Sequence, residues 1–213
     1  MRTSLSISAR RHFIDKFFFS NAHLIRKDAQ VIDIGGKKEQ KRGLFDINST
    51  GVEVTYVNID PSVRPDIIAD AAAIPVPDNS YDVAIMGELL EHVPEPLRVL
   101  EEAHRILKQN GLLLITVPFM VGIHGDPSDY GRYTETFLRE MSKKAGFSKI
   151  EIESQGTIFS VMALMIQHIF LAKKVSWRPI QTPLISFLMW LDSRTSNPLL
   201  KSWTTGYGIV LTK

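Results

Sequence analysis

VIDIGG, residues 31–36, is the stretch that decides the fold. A short apolar run that ends in two glycines reads as a buried strand entering a tight turn, because glycine accepts backbone angles closed to other residues and lets a ligand approach the main chain. Working outward, VEVTYVNID (52–60) reads as a second strand ending in an acid, DIIAD (66–70) as a third and YDVAIMG (81–87) as a fourth. A helix is expected from about Pro94 and Pro96, since proline is tolerated in a first turn. Glu101 and Arg105 would form an i,i+4 pair on it, and Asn110-Gly111 would end it. LLLITVPF (112–119) follows as a buried strand, then a helix at about 134–145, a strand KIEIES (149–154) and a last strand YGIVLTK (207–213). Seven strands alternating with helices, several apolar on both faces, predict an α/β sheet covered on both sides. In such sheets ligands bind beyond the carboxyl ends of the strands, so function is sought in the residues after each strand.

Composition narrows the classes. With 213 residues and no cysteine, the chain is long enough for one sizeable core and cannot be a disulfide scaffold, a zinc ribbon or a thiol enzyme. The net charge of +2 conceals an uneven spread: residues 1–50 carry ten Lys/Arg and five Asp/Glu, 51–106 carry three and eleven, and 107–213 carry twelve and seven. An acidic middle between basic flanks suits a cationic ligand, or a solvated acidic face, better than a phosphate backbone, so no nucleic-acid partner is expected.

Two segments lie outside the alternating pattern. An amphipathic N-terminal helix is predicted over 7–25, with Ile7, Phe13, Ile14, Phe17 and Phe18 on one face; a transit peptide is the alternative for this Arg- and Ser-containing start. Between the sixth and seventh strands lies an apolar helical insert at about 156–203. In IFSVMALMIQHIFLAKK (158–174) the only polar positions before Lys173 are Ser160, Gln167 and His168, which share one stripe, so nearly the whole circumference is apolar. Such a helix needs cover: its own core, a homodimer partner through 158–191, a membrane surface beside Lys173 and Lys174, or an acceptor site that it closes as a lid. No stretch reaches the length of a spanning helix and no signal peptide is visible, so a cytoplasmic chain is expected, with membrane association as the alternative. The whole of 1–213 reads as a single domain.

The residues after the strands carry the chemistry. Asp33, Gly35 and Gly36 follow the first strand, where the glycine pair is either a ligand-facing loop or a structural turn. Asp60, before Pro61, is placed to accept from the two hydroxyls of a ribose or to start a turn. Asp70 and Ala71 end the third strand, and Gly87, Glu88, Glu91 and His92 follow the fourth. A nicotinamide oxidoreductase would share the first strand and Asp60 but needs a second nucleotide-binding half that is missing.

The series VIDIGG, VNIDPS, IIADAAAIPVPDNSYDVAIMGELLEHV and LRVLEEAHRILKQNGLLLITVPF resembles the class I S-adenosylmethionine-dependent methyltransferases, in particular those with the methyltransferase 11 type of domain. The likeness covers about residues 30–155 and the last strand. It implies a Rossmann-like seven-stranded sheet, mostly parallel with an antiparallel last strand and helices on both faces, and S-adenosyl-L-methionine as cofactor. Carried over, Asp33, Gly35 and Gly36 would face the methionine part, Asp60 and Pro61 the ribose, Asp70 and Ala71 the adenine, and Gly87 and Glu88 would close the pocket near the sulfonium. The family pattern D-x-G-x-G-x-G is changed here, for Lys37 and Lys38 follow Gly36.

The acceptor is expected at HGDPSDYGRYT, 124–134, after the fifth strand. His124 would be the catalytic base, oriented by Asp126 or Asp129, with Tyr130, Arg132 and Tyr133 shaping a pocket for a small molecule or glycan that is methylated on oxygen. A structural lid and a metal held by His124, Asp126 and Asp129 are the alternatives for that loop, with no metal as the expectation. His92 reads as structural. A non-catalytic methyltransferase-like module that binds a protein or membrane through the insert is the alternative for the whole chain.

Overall fold

The computed structural model describes residues 8–39, 43–125, 127–172 and 178–213. Ile7, Asp126, Lys173 and Lys174, which figure in the expectations above, lie outside the described residues.

Seven strands form one sheet: β1 (Gln30–Ile34), β2 (Glu53–Asn58), β3 (Ile67–Ile68), β4 (Tyr81–Gly87), β5 (Leu107–Pro118), β6 (Lys149–Gln155) and β7 (Gly206–Thr212). Their spatial order is β3-β2-β1-β4-β5-β7-β6. The first five pair in parallel, and β7 runs antiparallel to both β5 and β6. The strand order reverses between β1 and β4, which opens a crevice beyond their carboxyl ends.

The central strands are buried on both faces. Ile32, Ile34, Met86, Leu113 and Ile115 pack on one side with α2 (Pro96–Ile106) and α3 (Glu135–Lys144). On the other side Val31, Val83, Ile85 and Leu114 pack with Ile14, Phe17 and Phe18 of α1 (Ala9–Asn21). The predicted N-terminal apolar face is therefore correct where it is described, and α1 gives way to a 3-10 turn at Ala22–Leu24.

The helix expected to reach Asn110 ends at Ile106. Leu107 is already extended and fully buried, Lys108 pairs with Asp82 at 2.8 Å, and Asn110 takes a positive φ of 62°. Burial of Leu107 overrides the helix-forming residues around it. Arg105 does not pair with Glu101 as expected; it binds Glu102 at 2.8 Å and Asp78 at 2.6 Å, and Glu102 also accepts from the backbone N–H of Ile74 at 2.6 Å.

The insert forms α4 (Ile158–Ala172), α5 (Arg178–Arg194) and a short α6 (Pro198–Lys201). Asp192 of α5 is buried and its Oδ1 accepts from Thr157 N (2.8 Å), Thr157 Oγ1 (2.7 Å) and Ser160 N (3.2 Å), which caps α4 and locks the two helices together. Two of the three residues of the polar stripe of α4 face inward, Ser160 joining this cap and Gln167 accepting from Ala9 N at 2.9 Å, whereas His168 is exposed. Met162, Met165, Ile169 and Leu171 are consequently left exposed on α4, and Phe187 and Trp190 on α5. Among the described residues, no helix is long and apolar enough to cross a membrane.

Candidate active site

A cavity of about 1760 Å³ lies beyond the carboxyl ends of β1, β2, β4 and β5, roofed by α1 and α4. Its floor is the turn after β1. Gly35 holds φ +83°, its N–H donates to Val57 O at 2.8 Å, and Asn58 Nδ2 donates to the carbonyls of Gly35 and Gly36 at 3.0 and 3.1 Å. A Cβ on Gly36 would lie 2.2 Å from the Asp33 carboxyl carbon, so only a glycine lets that carboxyl fold back under the turn.

Asp60 stands on the cavity wall with its carboxylate fully exposed, accepting from Ser62 N and Ser62 Oγ at 2.8 Å each. These bonds hold its carboxyl below the usual range. It therefore caps the turn Pro61–Val63, as one expectation had it, while two of about four acceptor positions on a carboxylate stay open for a ligand. Pro61, Asp70 and Ala71 do not border the cavity; the Asp70 carboxylate accepts from Ala72 N at 2.8 Å. Lys37 lines the cavity, whereas Lys38 is drawn away to Asp66.

After β4, Gly87 and Glu88 both reach the wall. Glu88 has φ +55°, an angle sparsely populated by residues other than glycine. It is fixed by Arg10, whose Nε and Nη2 donate to its two carboxylate oxygens at 3.1 and 2.6 Å. Arg10 also donates to Val117 O at 2.8 Å and to Gln155 Oε1, so one buried guanidinium ties α1 to β4, β5 and β6. Sequence reading gave Arg10 no role; its one signal is a charge on the face that also carries Phe13, Ile14 and Phe17.

Glu91 is fully buried, and neither carboxylate oxygen has a hydrogen-bond partner among the described residues. Burial, followed by the charge of Glu88, pushes its carboxyl up to about 8. His92 Nδ1 lies 2.6 Å from Ser128 O, and His92 Nε2 lies 3.7 Å from Glu91 Oε1.

Of the described residues expected around the acceptor, His124 borders the cavity and Asp129, Tyr130, Arg132 and Tyr133 do not. They brace the loop instead. Asp129 accepts from Arg132 and from His124 N (2.8 Å), and the Arg132 guanidinium holds its carboxyl far below the usual carboxylate range. Tyr130 N donates to Glu91 O at 2.7 Å and Tyr133 Oη to Leu90 O at 3.2 Å, which fastens the loop to the turn Leu90–His92. His124 Nδ1 is 3.1 Å from Gly122 O, and its ring meets that of His92 edge to face at 5.2 Å. The outer wall is apolar, with Val121, Ile123, Leu164, Met165 and Ile169.

The family described as "Methyltransferase domain" matches residues 32–115. Among curated proteins, the chain is 30% identical over 124 residues to the ubiquinone/menaquinone biosynthesis C-methyltransferase UbiE of Neisseria meningitidis, covering 51% of either chain. The chain thus spans about half the length of the curated relatives it matches. Among solved structures, an S-adenosylmethionine-dependent methyltransferase from Archaeoglobus fulgidus superposes with a TM-score of 0.62 at 16% identity, covering 95% of this chain and 94% of that one. The [4+2]-cyclase SpnF superposes with a TM-score of 0.61 at 19% identity over 95% and 80% of the two chains. At these identities the structural likeness speaks for the fold alone.

Proposed function

We propose that this chain, whose residues 32–115 match a methyltransferase domain and which has a Rossmann-like sheet, transfers the methyl group of S-adenosylmethionine to oxygen on a small-molecule or glycan acceptor. The observation that carries this reading is the glycine-floored cavity with Asp33, Asp60 and Glu88 on its wall. A bare backbone turn and three carboxylates fit a cofactor with a cationic sulfonium, a ribose and an amino-acid end. When bound, that cofactor supplies an activated methyl group, so the protein's task is positioning rather than covalent work.

Asp33 and the Gly35-Gly36 backbone hold the methionine end, Asp60 accepts from the ribose hydroxyls, and Gly87 and Glu88 line the wall at the sulfonium. Asp70, Ala71 and Pro61 support that wall from outside the cavity. Helices α1 and α4 exclude water from above. His124 acts on the acceptor and takes the proton of an acceptor hydroxyl. Asp129, Tyr130, Arg132 and Tyr133 hold the acceptor loop in register. The apolar outer wall favours an acceptor with a hydrocarbon portion. Asp60→Ala is expected to weaken S-adenosylhomocysteine binding about tenfold or more in a calorimetric titration, the loss of charge-assisted hydrogen bonds. An unchanged affinity would remove Asp60 from the site.

A second reading concerns the exposed apolar residues of α4 and α5. Trp190 is 50% and Phe187 54% exposed, and they favour contact with a membrane surface or a second copy of the chain. Flotation of the chain with anionic vesicles, lost in Phe187→Asp/Trp190→Asp, would support the membrane; a monomer that never floats would dismiss the reading.

A further inference from the structure

We propose that Glu91, His92 and His124 form a binding site for one divalent first-row transition-metal ion, open on its remaining positions to oxygen donors of the acceptor. Each residue offers one donor atom, and these atoms all lie within 4.8 Å of one another. Ligands at about 2.0–2.2 Å from a tetrahedral zinc-type ion are about 3.4 Å apart, so the loop that carries His124 closes by up to about 1.4 Å to complete the set.

Three features besides proximity support the site. The first is Glu91. Its carboxyl is fully buried and neither oxygen has a hydrogen-bond partner among the described residues, an unsatisfied polar group that a cation taking the place of its proton would satisfy. The second is the orientation of the imidazoles. His92 Nδ1 meets the carbonyl of Ser128 at 2.6 Å and His124 Nδ1 meets that of Gly122 at 3.1 Å. A carbonyl only accepts, so Nδ1 of His92 carries the proton and its Nε2 keeps a lone pair, the outer arrangement typical of a ligating histidine; Nδ1 of His124 lies among Gly122 O, Asp129 Oδ2 at 3.7 Å and Arg132 Nη2 at 3.4 Å.

The third feature is place. His92 and His124 border the cavity beside Gly87 and Glu88, so an ion would be open on the cavity side. The Glu88 carboxylate beside the site is paired with Arg10 at 2.6 Å, which leaves the Glu91 carboxyl as the acidic group facing the imidazoles. The nearby cation on the loop, Arg132, has Nη2 3.4 Å from His124 Nδ1 and is balanced by Asp129. Two imidazoles and one carboxylate select manganese, iron, cobalt or zinc over calcium and magnesium. In the ion-bound form His124 acts through the metal rather than as a base. That acceptor role rests on the methyl-transfer reading; ion binding does not.

The test uses the full chain, stripped with chelator and titrated with Co²⁺ by visible absorption and with Zn²⁺ by calorimetry. One ion per chain is expected, with affinity falling about tenfold or more in Glu91→Gln and in His124→Ala. His124 sits on an exposed loop, so its variant is expected to fold even if Glu91→Gln does not, and circular dichroism checks this. Absence of saturable binding below about 1 mM, or equal affinity in folded His124→Ala, would overturn the site. Titrating S-adenosylhomocysteine into the wild type in chelator separates the two readings. Cofactor binding without ion binding sinks only the metal site; ion binding without cofactor binding sinks the methyltransferase reading and leaves the site standing.

Discussion

Arg10→Met is expected to lower the stability of the chain by about 3–5 kcal/mol, the usual consequence of removing one partner of a buried ion pair. Arg10 is 5% exposed and supplies both hydrogen bonds that hold the Glu88 carboxylate, together with the bonds to Val117 O and Gln155. Without it, a carboxylate held at positive φ faces the buried Glu91 with only Arg132, which is already bound to Asp129, as counter-charge, and α1 loses its tie to the sheet edge. For a domain of this size the midpoint of thermal unfolding should fall by about 6–20 °C. The double variant Arg10→Met/Glu88→Gln should regain more than half of the loss, since it removes the stranded charge as well. A single variant that melts within about 2 °C of the wild type would show that the pair is solvated and of little weight.

The second large effect concerns binding rather than stability. Gly36→Ala places a Cβ 2.2 Å from Cγ and Oδ2 of Asp33 and 2.5 Å from Oδ1. Gly36 has no positive φ, so its backbone tolerates alanine, and relief comes from swinging the Asp33 carboxyl out of its place beneath the turn. S-adenosylhomocysteine affinity should fall about a hundredfold, or about 2.7 kcal/mol, with a melting curve close to that of the wild type. Gly35→Ala behaves differently. Its φ of +83° costs about 1–2 kcal/mol for an alanine, and the new Cβ meets only the flexible end of Leu89 at 2.9 Å, so stability falls first. If Gly36→Ala binds as well as the wild type, Asp33 is not part of the cofactor site.

The parts of the fold that were legible are those set by hydrophobic pattern. VIDIGG, YDVAIMG and LLLITVPF are strands because both faces are buried, and their order along the chain leads to the observed sheet. The start of β5 was not legible, because Leu107 sits among good helix formers and only its place under the sheet makes it extended. Arg105 chose Glu102 over Glu101 because Glu102 also satisfies Ile74 N, a tertiary contact that spacing alone does not reveal.

The site divides in the same way. Gly35, Gly36, Asp60, Gly87, Glu88 and His124 stand at or after strand ends, were singled out by that position together with the methyltransferase resemblance, and each borders the cavity. Asp70 and the Asp129–Tyr133 group were expected in the pocket because they are polar and close in sequence to it. The side chains of Asp70, Asp129, Arg132 and Tyr133 are spent on backbone N–H groups, on one another and on the turn Leu90–His92, and Tyr130 is tied to that turn through its backbone N–H. Arg10 and Glu91 carry much of the electrostatics, yet both stand on segments that read as helix faces, where a charge usually meets solvent. The proposed ion site departs from the expectation of a metal-free protein. It joins residues 32 positions apart in sequence, His92 and His124, so only the fold brings it together.

The apolar insert sharpened as well. Of its polar stripe, Gln167 turns to α1 and Ser160 to the Asp192 cap, while His168 is exposed at the cavity, and its apolar side is shared between the cavity wall and the surface. Met165 and Ile169 belong to both, whereas Met162 and Leu171 are exposed away from the cavity.

The measurement that bears most directly on the central claim is native mass spectrometry of the chain mixed with excess S-adenosylhomocysteine. The account predicts one ligand per chain, lost in Gly36→Ala. A folded wild-type chain that stays ligand-free at millimolar S-adenosylhomocysteine would contradict it.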